Sequence, residues 1–131
     1  MYIDAVCVKG QGKTFTCSIQ VKDETDTNFI PLDLNSYSVQ FKVLGAPTLD
    51  AKTLIEHVIT QNTEYDEYGQ IYNAANGEFT FGLTADEINA IGLGDHPITL
   101  SLLNADDLTP ATILTEGGLK GEFNKIKVVQ V

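Results

Sequence analysis

The chain has no arginine; all eight of its basic residues are lysines. Guanidinium forks are the common grip on phosphate, and nucleic-acid affinity grows with clustered positive charge. Here eighteen acids outnumber the lysines, the formal net charge is −10, and no basic residue occurs between positions 53 and 119. The electrostatics therefore argue against a nucleic-acid partner and describe a solvated acidic surface, with docking on a basic protein as its functional alternative. Long apolar runs are also missing. None approaches the roughly 20 residues of a membrane-spanning helix. Asp4 stands where a signal peptide carries basic residues ahead of an apolar stretch. The expectation is a soluble, unexported chain with no membrane partner.

Chemistry-bearing residues are few. The only cysteines are Cys7 and Cys17, and the only histidines are His57 and His96. Without paired Cys/His spacing no zinc site is expected. Nothing in the sequence ties Cys17 to a histidine as a thiol nucleophile requires. Asp23, Glu24, Asp26 and Asn28 supply oxygens, but the stretch lacks the central Gly and terminal Glu of a helix-loop-helix calcium site. Those acids read as turn-forming and solubilising. Carboxylate pairs for glycoside hydrolysis are defined by separation in space, so an abundance of acids does not argue for one. The expectation is a chain with no catalytic residues, no metal and no cofactor.

What the chain does have is period-two alternation. Phe15, Cys17, Ile19 and Val21 alternate with Thr16, Ser18 and Gln20; Tyr37, Val39, Phe41 and Val43 alternate with Ser38, Gln40 and Lys42; Phe79, Phe81 and Leu83 repeat the pattern. Each run places one set of side chains on one strand face, half buried and half wet. Strands are expected over 2–9, 14–22, 37–44, 53–59, 78–83, 97–104, 111–115 and 122–130. Turn signals separate them, among them Gly10 and Gly12, Asn76-Gly77, and Asp106-Asp107 before Pro110. Short strands at this spacing indicate a sandwich or barrel. At 131 residues one domain is expected, burying roughly two thirds of its unfolded surface.

Three local expectations follow. A hairpin centred near Gly12 would set position 7 opposite 17, so that Ile3, Ala5 and Cys7 share a face with Phe15, Cys17, Ile19 and Val21. Directly opposed cysteines can be bridged, but in an unexported chain two free buried thiols are expected. The segment 84–92 departs from period two. Thr84 precedes Glu87 by three places, Ile88 and Ile91 share a face, and Gly92 is a stop, which describes a two-turn helix in a strand crossover. Finally, the polar stretch 60–73 holds Tyr65, Tyr68 and Tyr72. Tyrosine-rich loops serve as interface hot spots or simply close a sandwich edge.

The segments 33–45 (DLNSYSVQFKVLG) and 76–87 (NGEFTFGLTADE), with 12–16 (GKTFT) and 50–56 (DAKTLIE), resemble the immunoglobulin-like N-terminal domain of the tailed-phage baseplate upper protein family. The resemblance runs from about residue 10 to residue 131. It implies an all-β, immunoglobulin-like antiparallel sandwich with one short helix. It also implies a non-catalytic virion protein that anchors tail, baseplate, neck or head components through protein contacts, in copies set by the symmetry of the assembly. Such a protein would pass through the host cytoplasm during assembly. Candidate contacts are Tyr65, Tyr68 and Tyr72, the lysine end with Lys120, Lys125 and Lys127, and free sheet edges, which are templates for strand addition. The alternative is a carbohydrate-binding or host-adhesion module using the tyrosines as stacking platforms.

Overall fold

The alternating runs fold as strands that close face to face. The computed structural model describes residues 3–22, 24–25, 27–45, 51–61, 68–115 and 124–130. In chain order the strands are β1 (Ile3–Val8), β2 (Lys13–Ser18), β3 (Gln20–Lys22), β4 (Phe29–Pro31), β5 (Tyr37–Leu44), β6 (Thr53–Ile59), β7 (Gly69–Asn73) and β8 (Glu78–Leu83). After the helix α1 (Ala85–Ile91) come β9 (Gly94–Asn104), β10 (Pro110–Ile113) and β11 (Asn124–Val129).

One sheet runs in the order β1-β11-β9-β5-β6, with β10 added on β9, and β2-β8-β7 form the second; β3 and β4 make a separate ribbon. β1 lies parallel to β11, and the remaining pairings are antiparallel. A three-stranded layer over a larger one is a two-sheet sandwich. The all-β fold expected from the alternation is therefore present, with one parallel pair in an otherwise antiparallel scaffold.

Alternation supplies the core. Val39, Phe41 and Val43 of β5 and Ile98, Leu100 and Leu102 of β9 are buried, as are Phe79, Phe81 and Leu83 of β8. The Phe81 ring sits at the centre, 4.7 Å from Phe41 across the sandwich and 4.9 Å from Phe15 beside it. Ring separations of this size lie in the favourable range for aromatic pairs. The intervening Gln40 and Lys42 look outward and are only partly covered.

The expected hairpin does not form. β2 pairs with β8, setting Phe15 opposite Phe81 and Cys17 opposite Phe79, while β1 pairs with β11, setting Cys7 opposite Val128. The Gly10–Gly12 signal therefore marks a crossing from one sheet to the other. Cys7 and Cys17 face the core from opposite layers and are both free thiols. Period-two alternation fixes which face is buried, but β1 carries nothing to match the aromatic face of β8 that β2 finds. Where a β1–β2 ladder would have run, an open cleft of about 400 Å³ lies between Ala5 on one side and Phe15 and Cys17 on the other.

The helix is placed as expected. Glu87 N–H donates to Thr84 Oγ1 at 3.1 Å, and Thr84 N–H donates to Glu87 Oε1 at 3.0 Å, closing a reciprocal capping box. Ile88 is fully buried and anchors the helix on the core. Two strands lie outside the expected set. β4 is only three residues long, and β7 occupies the end of the stretch expected as a tyrosine loop. Gly77, at φ +70°, closes the turn before β8, and a Cβ there would fall 2.6 Å from the Ile19 carbonyl and 2.8 Å from that of Leu32. Only glycine lets the backbones meet so closely. The contact is sealed by Ile19 N–H donating to Gly77 O and Leu32 N–H donating to Ile19 O, each at 3.0 Å.

Candidate functional site

Of the six residues expected at an interface, Tyr65 and Lys120 lie outside the described residues. Tyr68 immediately precedes β7 and is half-buried; its ring stacks on His57 with centroids 4.1 Å apart. His57 occupies an inward-facing position of β6, and its Nε2 lies 2.6 Å from Glu87 Oε2. Glu87 thus serves two elements at once, capping α1 with one oxygen and holding the edge strand β6 with the other. The imidazole is engaged on its Tyr68 face and at Nε2, so this cluster fastens helix, strand and loop together. His96 Nε2 lies 2.8 Å from the Gly92 carbonyl, at the start of β9.

Tyr72 on β7 is 47% exposed. Lys125 and Lys127 lie on β11 of the other sheet, alternating with the buried Ile126 and Val128. Lys125 Nζ reaches within 3.6 Å of Asp95 Oδ2, a surface pair of little energetic weight. Tyr68 and Tyr72 therefore belong to a different layer from Lys125 and Lys127, and these four do not compose one site. Among the described residues no group of three or more His, Cys, Asp or Glu side chains is placed to hold a metal ion. None of the described helices is long and apolar enough to cross a membrane.

A different surface stands out. β11 takes the Gly94–Pro97 end of β9, and β10 takes the Ser101–Leu103 end, where all four β10 residues are exposed. Facing β10 across a groove of about 540 Å³ is β3, with Val21 on one wall, Thr112 and Ile113 on the other, and Ile19, Leu32 and Leu102 among the residues between. In the ribbon, Val21 pairs with Ile30, so both project from the same face. Ile113 is 64% exposed, Leu108 46% and Ile30 45%, and Phe29, on the ribbon's other face, is 65% exposed. Scattered exposed apolar side chains are ordinary; of these four only Ile113 is among the residues lining the groove, and it joins Val21 there.

The turn joining β9 to β10 is rigidly made. Asp107 Oδ1 accepts from the Thr109 N–H at 3.1 Å and from its hydroxyl at 2.7 Å. These bonds hold the Asp107 carboxyl below its ordinary value, so the turn keeps its charge. Leu108 adopts φ +58°, an uncommon conformation for a residue with a Cβ, and its side chain is presented at the turn.

Sequence reasoning placed strands over both walls, 14–22 and 111–115, but read 14–22 as one strand with Val21 on its buried face; it divides into β2 and β3, and Val21 is 38% exposed. The available signal was the pair Phe29-Ile30 directly after the polar stretch 23–28, where a solvated loop has no use for two large apolar side chains.

No family model matches this chain, and no curated protein matches it.

Proposed function

We infer that the chain is a non-catalytic docking module of a tailed-phage virion, joining tail, baseplate, neck or head proteins by burying surface against them. The observation that carries the docking half is the β3–β10 groove, lined by Val21, Leu32 and Thr112 beside a strand with one edge unpaired among the described strands. The virion half rests on the resemblance of 33–45 and 76–87 to the baseplate domain. In the fold those segments supply β5, β8 and the capped start of α1. The non-catalytic reading rests on the same resemblance.

Stoichiometric recovery of the chain in purified particles is the expected result. Its absence from them would remove the virion role. For the glycan-binding alternative, Tyr68 is already stacked on His57, which leaves Tyr72 as the exposed ring among the described tyrosines it relies on.

A further inference from the structure

We propose that Asn76 is a latent deamidation site, held closed by the fold and opened when the β3–β4 ribbon lifts away from Gly77. The site lies outside the docking reading and stands or falls without it.

Asn76-Gly77 is the only Asn-Gly pair in the chain, and Asn76 is exposed to water. In such a pair glycine has no side chain to shield its backbone nitrogen. That nitrogen attacks the side-chain carbonyl carbon of Asn76. The N–Cγ bond forms, the Cγ–Nδ2 bond breaks, and ammonia leaves with the Gly77 amide proton. Water then opens the cyclic imide at either carbonyl, giving an aspartyl or an isoaspartyl residue at position 76. The folded chain blocks the first step twice. Ala74–Asn76 form a single 3-10 turn, and Gly77 N–H donates to Ala74 O at 3.1 Å, so the attacking nitrogen is engaged. Closing the five-membered ring also requires Asn76 to rotate out of that helical backbone. Backbones packed on Gly77 oppose the rotation. Its carbonyl accepts from Ile19 N–H at 3.0 Å, and a Cβ added to it would meet the Ile19 and Leu32 carbonyls at 2.6 and 2.8 Å.

The latch is the ribbon. Ile19 leads directly into β3 and Leu32 directly follows β4, so the two carbonyls that confine Gly77 belong to the ribbon's base. All six ribbon residues are exposed, and no described strand of either sheet pairs with them. Elements with so little buried surface open locally, at less cost than unfolding the domain. An isoaspartyl residue carries one more backbone carbon and shifts Gly77 out of a seat that tolerates no added atom, so the opened ribbon does not close as before. Gln20 and Val21 of β3 line the groove, and conversion therefore alters one of its walls irreversibly.

The test incubates the full chain in mildly alkaline buffer, folded and in urea, and follows conversion at position 76 by peptide mass spectrometry, with isoaspartyl-specific methylation as a second readout. Conversion is expected to be at least about tenfold slower in the folded chain, the ratio set by a local opening of about 1.4 kcal/mol. Ile30→Gly loosens the ribbon at an exposed position and is expected to speed folded-state conversion about two- to fivefold. An NMR spectrum unperturbed in β5, β8 and β9 verifies that this variant folds. Thr84→Ala weakens the whole domain at the helix cap and is expected to leave the folded-state rate unchanged. Equal rates in the folded chain and in urea, or no conversion in urea, would overturn the proposal. So would a rate raised about fivefold by Thr84→Ala, which is what a route through global unfolding requires. An Ile30→Gly variant that folds and converts no faster than wild type would overturn it as well.

Discussion

Replacing Phe81 by alanine tests the two-layer packing where it is densest. The ring is 1% exposed, lies 4.7 Å from Phe41 on the opposite sheet and 4.9 Å from Phe15 on the neighbouring strand, and has Phe79 at 6.2 Å. Truncating a buried phenylalanine costs about 3–5 kcal/mol, from lost transfer energy plus the cavity left behind. With three ring partners lost together, the upper part of that range, about 4–5 kcal/mol, is expected. A domain of this kind is stable by about 5–15 kcal/mol, so the change removes at least a quarter of the total and up to nearly all of it. Urea unfolding should show a lowered midpoint at unchanged slope, the sign of lost stability without a change in exposed area. Phe29→Ala is the control: at 65% exposure it should fall within about 0.5 kcal/mol of wild type. Similar losses for the two variants, or a Phe81→Ala cost under about 1.5 kcal/mol, would refute the packing described.

Other consequences are independent of the core rings. Thr84→Ala removes the cap that accepts from the Glu87 N–H and should cost about 1 kcal/mol by thermal or urea unfolding, with Thr84→Ser restoring most of it. Thr115 Oγ1 is buried and has no hydrogen-bond partner among the described residues, so Thr115→Val should be neutral or stabilising by about 1 kcal/mol, the reverse of an ordinary polar-to-apolar loss. Burial pushes the Cys17 thiol up to about 11, and raises Cys7 in the same direction. Both should therefore react with iodoacetamide at pH 8 more slowly than in urea. Because the fold favours the neutral thiol, this contribution to stability is complete below the ordinary thiol value near 9 and is lost as pH rises toward about 11. The unfolded chain ionises first in that window. Stability that rose through the same interval would contradict the burial of these groups.

The layers of this fold were legible because alternation is a local property. Phe79, Phe81 and Leu83 announce a buried face in any partner's company, and Thr84, Glu87 and Gly92 announce a helix start and stop without reference to the rest of the chain. Pairing is a long-range property. Ile3, Ala5 and Cys7 are compatible with several neighbours, and the parallel alignment of Cys7 with Val128 lies across most of the sequence from it. The Gly10–Gly12 signal indicated a change of direction but not whether the chain returns beside itself or crosses to the other layer. The groove was hidden for the same reason, since β3 and β10 meet only once both sheets have closed. Tyr68 could be read from composition as contact or as closure; its stacking on His57 depends on a register that only the assembled β6 and β7 define.

A particle reconstruction resolved to side chains tests the docking claim most directly. The expected map places this chain against a neighbouring protein that covers the groove between β3 and β10, burying Val21, Leu32 and Thr112. A map in which the chain is present but that groove opens to solvent, while contacts run through other faces, would contradict it.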